Sequence, residues 1–177
     1  MLPLALLLCL AGCSTISNDP RIRTPGTIID DQMLERIVRA DIRRGDPGFK
    51  SAHLVVVSYN GVVLLAGQVS SEPLRAKAEN LARAIPKVRR VHNELEIGGP
   101  ISYLARSNDS WLTAKVKSKL LAAKKTPATR VKVVTENGVV YLLGLLPREQ
   151  AEPVVDVARS VYGVQKIVKV FEYLDDA

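Results

Sequence analysis

One eight-residue segment occurs twice in this chain. Residues 60–67 read Asn-Gly-Val-Val-Leu-Leu-Ala-Gly, and residues 137–144 read Asn-Gly-Val-Val-Tyr-Leu-Leu-Gly. A repeat at such a spacing indicates two copies of one structural unit. Asn-Gly between two apolar runs is the strongest short-range signal for a β-hairpin. The sequence of 177 residues is therefore predicted to form two small domains, each built around a hairpin.

The patterns around each hairpin predict an α+β fold. Before each hairpin, apolar residues recur every four positions, which indicates a helix. These residues are Leu34, Val38 and Ile42 in the first copy and Leu112, Val116 and Leu120 in the second. Asp30 or Asp31 in the first copy, and Asp109 in the second, are expected to cap these helices. A second helix and a final strand follow each hairpin, so we expect two tandem domains, each with a three-stranded mixed sheet packed on two helices.

The N-terminus has the pattern of a lipoprotein signal. Residues 2–10 are almost unbroken apolar sequence, too short to span a bilayer but long enough for the core of a signal peptide. Residues 10–13, Leu-Ala-Gly-Cys, closely resemble the lipobox of bacterial lipoproteins; a buried helix that ends by chance in cysteine is the alternative. The resemblance implies a signal peptide at residues 1–12 and lipidation of Cys13, with palmitate among the acyl groups. Residues 13–28 contain proline and glycine without an apolar period, and they are expected to form a flexible tether.

Each copy also resembles the BON domain. The shared features are a strand-turn-strand unit that ends in glycine, an alanine-rich helix and, at residues 88–93, a final Val-x-x-Val-x-Asn. The second copy has Gly-Val-x-x-Ile at residues 163–167 but Lys169 where the pattern has asparagine. We expect the first domain at residues 29–98, a linker at 99–107 and the second domain at 108–177.

Two such domains behind a lipobox resemble the dual-BON outer-membrane lipoproteins. The resemblance implies a protein that is anchored in the outer membrane, faces the periplasm and supports the integrity of the cell envelope. It also implies that the second domain binds anionic phospholipid, such as phosphatidylglycerol or cardiolipin. Ser14 is compatible with this destination, because aspartate after the lipidated cysteine would signal retention in the inner membrane of enterobacteria.

Gly67 and Gly144 are the glycines that mark the BON pattern in the two copies. Either could allow a close approach or a positive φ at a lipid or domain contact. We favour a structural reason, a bulge that ends the second strand so that the following helix can pack. Replacement of either glycine is therefore expected to unfold its domain rather than to disable a site.

The first helix of the second copy carries the candidate lipid site. Trp111 is the only tryptophan, and Lys115 and Lys119 follow at intervals of four residues, with Ser118 beside them. This stripe lies about 100° around the helix from the buried row. An indole at headgroup depth and ammonium groups near phosphates suit an anionic membrane surface. The alternative is a tryptophan that covers its own small core beside solvated lysines, and the family resemblance favours the lipid.

The first copy lacks this stripe but has an uncharged outer sheet face. Val55 and Val57 occupy that face, whereas the second copy has Arg130 and Lys132 along the corresponding strand. Such a face is rarely left open to water, so we expect it to pack on the second domain or on a protein partner. An interaction scaffold for outer-membrane assembly or cell division, working through this face, is the alternative function.

Neither an enzyme nor a nucleic-acid-binding protein is expected. The two histidines, His53 and His92, have no spacing typical of a metal site or catalytic pair, and lipidation of Cys13 would leave no free thiol in the mature chain. We therefore expect no metal and no cofactor. The segment from Asp109 to Lys125 contains five lysines and one acidic residue, but it lacks the arginine-rich and stacking motifs of nucleic-acid-binding proteins.

Overall fold

The computed structural model describes residues 23–100 and 102–174, which contain both copies. The first copy comprises α1 (Pro25–Gly45), a 3-10 turn (Pro47–Lys50), β1 (His53–Tyr59), β2 (Val62–Val69), α2 (Glu72–Arg83) and β3 (Arg90–Ile97). The second comprises α3 (Tyr103–Ala122), a 3-10 turn (Ala128–Arg130), β4 (Val131–Glu136), β5 (Val139–Leu146), α4 (Arg148–Arg159) and β6 (Lys166–Tyr173). In each sheet the second strand pairs antiparallel with the first and parallel with the third. The α+β fold with two mixed three-stranded sheets is confirmed.

Both first helices begin earlier than predicted. The predicted signal peptide, Cys13 and most of the tether lie outside the described residues, but α1 already begins at Pro25, so residues 25–28 are helical and not part of a tether. Likewise α3 begins at Tyr103, inside the predicted linker. The physical reason is hydroxyl capping: the side-chain oxygens of Thr24 and Ser102 accept the backbone N–H groups of Thr27 and Ala105, at 3.2 Å in each case.

Asp31 and Asp109, which were predicted as caps, lie inside their helices and are buried. Asp31 accepts the backbone N–H groups of Asn60 and Gly61 at 2.8 and 3.1 Å. Asp109 accepts those of Asn137 and Gly138 at 2.8 and 2.9 Å. Each carboxylate therefore holds its Asn-Gly turn against its first helix. Asp31 also accepts the Ser58 hydroxyl at 2.6 Å and contacts the Arg23 guanidinium.

The two sheets pack face to face, with helices on the outer side of each. One apolar cluster lies between each sheet and its helices, and a third cluster lies between the sheets. The third cluster contains Val57, Leu64, Tyr141 and Leu143, with Val55 packed against it. The expectation that the Val55 and Val57 face packs on the second domain is confirmed. The scaffold hypothesis therefore loses the surface on which it was based.

Polar contacts at both ends of the strands hold the domains in one register. The Tyr59 hydroxyl, at the end of β1, donates to the carbonyl of Arg130 at 2.8 Å, where β4 begins. At the opposite end, Glu136 accepts the Gln68 amide at 3.0 Å and lies 3.3 Å from His53 Nε2. The start of β1 thus meets the end of β4, so the two strands run in opposite directions across the interface.

Gly67 and Gly144 lie within strands, since β2 and β5 continue to Val69 and Leu146. The prediction that they end their strands is wrong. A Cβ atom at Gly67 would overlap the carbonyl oxygen of His53, and one at Gly144 would lie 2.8 Å from that of Arg130. The close approach of the neighbouring strand's backbone requires the small residue, and Gly67 in addition has φ 106°.

Candidate functional site

An open groove of about 630 Å³ lies on the second domain between α3 and the turn that follows α4. It is lined by Trp111, Ala114, Lys115, Ser118, Lys119, Ser160, Val161 and Tyr162. All four predicted phospholipid-binding residues therefore line one groove. The repeat of four residues on a helix accounts for their alignment, and the wall contributed by residues 160–162 was not predicted.

Two exposed aromatic side chains stand at this groove. Trp111 is 65% exposed and Tyr162 is 94% exposed, so neither belongs to the core. The alternative in which Trp111 covers its own small core is therefore wrong, because Leu112, Val116 and Leu120 fill that core instead. Tyr162 could not be found from sequence spacing, since it follows a different helix and reaches the groove only through the packing of α4 beside α3.

Lys115 and Lys119 bridge the two walls of the groove. Lys115 Nζ donates to the carbonyl of Tyr162 at 3.1 Å, and Lys119 Nζ donates to that of Ser160 at 3.0 Å. These carbonyls lie at or just beyond the C-terminus of α4, where the helix dipole favours positive charge. An ammonium group has three N–H donors. Each lysine therefore has donors left for a bound anion while it holds the wall in place.

The charge on this side of the domain is not neutralised locally. Five lysines occur between positions 115 and 125, and none forms an ion pair with a carboxylate in the part of the chain that the structure describes. Asp109, the acidic residue nearest in sequence, is buried and directed at the hairpin. The groove is thus bordered by apolar aromatic surface and uncompensated positive charge.

Further apolar side chains extend the surface along α3. Leu104 and Leu121 are 84% and 68% exposed. Leu104 lies two turns before Trp111 on the same side of the helix. It was missed because residues 99–107 were predicted to form a linker, whereas α3 already includes Leu104. Of the described helices, none combines the length and apolar character that a bilayer-spanning segment requires.

The corresponding surface of the first domain has different chemistry. Because Asp31 and Asp109 are equivalent, Met33 and Ile37 of α1 correspond to Trp111 and Lys115, and Asp41 corresponds to Lys119. Met33 and Ile37 are both exposed. The aromatic and cationic combination is consequently specific to the second domain.

Neither histidine belongs to a potential metal site within the described residues. No three side chains of histidine, cysteine, aspartate or glutamate are grouped there so as to hold a metal ion. His53 contacts Glu136 at the interface between the domains. Burial and, secondarily, the charge of Arg90 lower the pKa of His92, so its ring is neutral at neutral pH.

Comparison with known proteins assigns this architecture to a family. Residues 30–99 and 108–175 each match the family model of the BON domain. The chain belongs to the BON-domain family. Each BON domain of this chain thus contains a helix aspartate that holds its Asn-Gly turn. Each also contains a glycine at which a neighbouring backbone approaches closely.

Three known proteins are similar to this chain over most of their length. The chain is 42% identical to the outer membrane lipoprotein DolP of Haemophilus influenzae, over 93% of this chain and 84% of that protein. It is also 42% identical to a 21 kDa hemolysin of Actinobacillus pleuropneumoniae, over 92% and 83%. With the osmotically inducible protein Y of Escherichia coli it shares 29% identity, over 84% and 75%.

Proposed function

We propose that this protein is a non-enzymatic, lipid-anchored protein of the outer membrane whose second BON domain binds anionic phospholipid. The single observation that carries the proposal is the groove in which Trp111 and Tyr162 stand beside lysines that no described carboxylate neutralises. The name of the DolP relative supports the location. So does the lipobox that ends at Cys13.

The groove suits a headgroup better than a buried acyl chain, because it is open and shallow. Exposed indole and phenol rings rest in the interfacial layer of a bilayer, and lysines near an anionic surface contribute on the order of 1 kcal/mol each. Lys115 and Lys119 contact phosphate groups, and the Ser118 hydroxyl donates a hydrogen bond to the headgroup between them. The acyl chains on Cys13 insert into the periplasmic leaflet of the outer membrane, and this contact selects the composition of the lipid surface on which the protein rests.

The proposal is tested by sedimenting the form that begins at Ser14 with vesicles of phosphatidylcholine, with and without phosphatidylglycerol or cardiolipin. We expect binding only to the anionic vesicles and its loss in Trp111→Glu. Met33→Glu is the matched control, because it places the same charge at the equivalent position of the first domain. Equal binding to neutral and anionic vesicles, or equal loss in both variants, would contradict the proposal.

A double variant separates the effect of the lysine charges on binding from their effect on the structure of the groove. In the double variant Lys115→Gln with Lys119→Gln, each side chain retains an N–H donor like the one that wild type directs at the carbonyls of Tyr162 and Ser160, but it loses its charge. The pair is expected to weaken binding to anionic vesicles roughly thirtyfold, from about 1 kcal/mol for each lysine. An unchanged affinity, with an unchanged melting temperature, would exclude these lysines from the lipid site.

A further inference from the structure

An exposed ridge without charged residues runs along almost the whole of α3. Its members recur at alternating intervals of three and four residues, so they lie on one side of the helix. These members, all exposed, are Leu104, Ser107, Trp111, Ala114, Ser118 and Leu121. The uncharged ridge extends for about 26 Å, since an α-helix rises about 1.5 Å per residue. Lys115 and Lys119 border it on one side, and the exposed Lys117 borders it on the other.

The first domain has a different surface at the equivalent positions of α1. These positions hold Gly26, Ile29, Met33, Arg36, Ala40 and Arg43. Arg36 and Arg43 therefore interrupt the surface where α3 has Ala114 and Leu121. A continuous uncharged ridge is consequently a property of the second domain, the domain that also carries the lipid groove.

A bilayer surface matches the uncharged ridge better than a protein partner does. Serine, alanine and lysine are depleted at protein interfaces relative to the rest of the surface, yet they make up half of the ridge and its borders on both sides. Helices that lie in a membrane interface instead combine an apolar face with flanking lysines. The ridge is also continuous with the groove, because Trp111, Ala114 and Ser118 belong to both.

We propose that α3 inserts the uncharged ridge between lipid headgroups, so that the second domain prefers anionic bilayers whose headgroups are loosely packed. This inference rests on the proposed function, because it concerns the same lipid site. The lysines act on any anionic surface. Leu104 and Leu121, which are 84% and 68% exposed, leave water only where gaps between headgroups admit them. Binding through such a helix face is sensitive to curvature and lipid composition.

The apolar contribution is large enough to appear beside the electrostatic one. Complete burial of a leucine side chain corresponds to roughly tenfold or more in affinity. A lysine near an anionic surface corresponds to roughly fivefold. Two inserted leucines therefore contribute at least as much as Lys115 and Lys119, and charge does not mask the preference for loose packing.

The test compares small sonicated vesicles with large extruded vesicles of the same composition, phosphatidylcholine with phosphatidylglycerol. Strong curvature spreads the outer headgroups of the small vesicles. The protein is the form that begins at Ser14, and its affinity is expressed per accessible lipid. We expect the wild type to bind the small vesicles roughly tenfold more tightly. The double variant Leu104→Ser with Leu121→Ser should lose this preference, whereas Met33→Ser, at the position of the first domain equivalent to Trp111, should retain it.

A single variant separates insertion from charge. Leu121→Arg introduces the residue type that α1 has at the equivalent position, Arg43. If charge alone governs binding, this variant binds both sizes of vesicle more tightly than the wild type does. Insertion instead predicts that the variant loses part of the preference for small vesicles, and a full preference in Leu121→Arg would contradict the inference.

The outcomes also distinguish this inference from the proposed function. Equal affinity of the wild type for both sizes, or a preference that survives the loss of both leucines, would overturn the inference and leave the lipid groove in place. Absence of binding to anionic vesicles of either size would overturn the proposed function and the inference together. A dimer in sedimentation equilibrium without vesicles, abolished by the double leucine variant, would assign the ridge to a second copy of the chain and would likewise overturn the inference.

Discussion

Substitution of Asp31 by asparagine tests whether the helix carboxylate stabilises the hairpin of the first domain. In the wild type this carboxylate accepts the Ser58 hydroxyl and the N–H groups of Asn60 and Gly61, and it pairs with Arg23. Asparagine has a single acceptor oxygen, which serves at most two of these donors. At least two charge-assisted hydrogen bonds are lost, each worth about 1.5–3 kcal/mol. We expect the free energy of unfolding to fall by roughly 3 kcal/mol.

The assay is urea unfolding at pH 7, followed by far-ultraviolet circular dichroism. Asp109→Asn is the matched comparison, because Asp109 accepts the two equivalent backbone N–H groups, while the hydroxyl of Thr135, which is equivalent to that of Ser58, is bonded to Thr113 instead. Its expected loss is smaller, about 1–2 kcal/mol. An Asp31→Asn variant within about 0.5 kcal/mol of wild type, which is the range of neutral surface substitutions, would refute the argument. A larger loss in Asp109→Asn would refute it as well.

The pH dependence of the free energy of unfolding provides an independent check on the sign of the Asp31 contribution. Burial alone would raise the pKa of Asp31, but hydrogen bonds from Ser58, Gly61 and Asn60 and the charge of Arg23 outweigh it and lower the pKa. A carboxyl group whose pKa is lower in the folded state stabilises the protein above its unfolded pKa, about 3.9. That stabilisation is lost as the pH falls through the folded value. The difference between wild type and Asp31→Asn should therefore shrink below about pH 4, and a constant difference would contradict the assignment.

Three further predictions follow from the packing and the groove. Gly67→Ala should destabilise the protein more than Gly144→Ala, as measured by melting temperature, because only Gly67 combines a positive φ with overlap of a backbone oxygen; the reverse order would refute the close-approach argument. Leu143→Asp should separate the sheets and increase the radius of gyration in X-ray scattering, whereas Leu121→Asp on the exposed surface should not, since only Leu143 is buried between the domains. Emission from Trp111, the only tryptophan, should shift to shorter wavelength with anionic vesicles, and the shift should diminish as salt rises from about 0.1 M to 1 M; a shift that is independent of salt would exclude the lysine contribution.

The sequence was sufficient for those parts of the fold that depend on local periodicity. The Asn-Gly repeat, the rows of apolar residues at intervals of four and the final strands predicted every regular helix and strand in its correct order. The ends of the helices were predicted less well, because Thr24 and Ser102 compete as caps with the acidic residues that follow them. Phe49, which is completely buried, had no periodic signal, since it lies in a 3-10 turn between two regular elements.

The residues of the candidate site likewise divide into those that the sequence predicted and those that only the structure revealed. Trp111, Lys115, Ser118 and Lys119 lie on one helix, so their spacing was enough to bring them together. Tyr162 and the carbonyls that hold the two lysines lie in the turn that follows α4, and only the packing of α4 beside α3 places them at the groove. Leu104 was missed because the start of α3 was placed too late.

By itself, then, the sequence determined that this protein has two copies of one domain and that lysines and a tryptophan distinguish the second copy. Tertiary structure decided what the shared residues do: Asp31 and Asp109 hold hairpins rather than helix ends, and Gly67 and Gly144 make room for a neighbouring backbone. It also decided that the uncharged face of the first sheet is covered by the second domain. The physical reason is that periodicity describes one element at a time, whereas partners distant in sequence are fixed only when the elements pack.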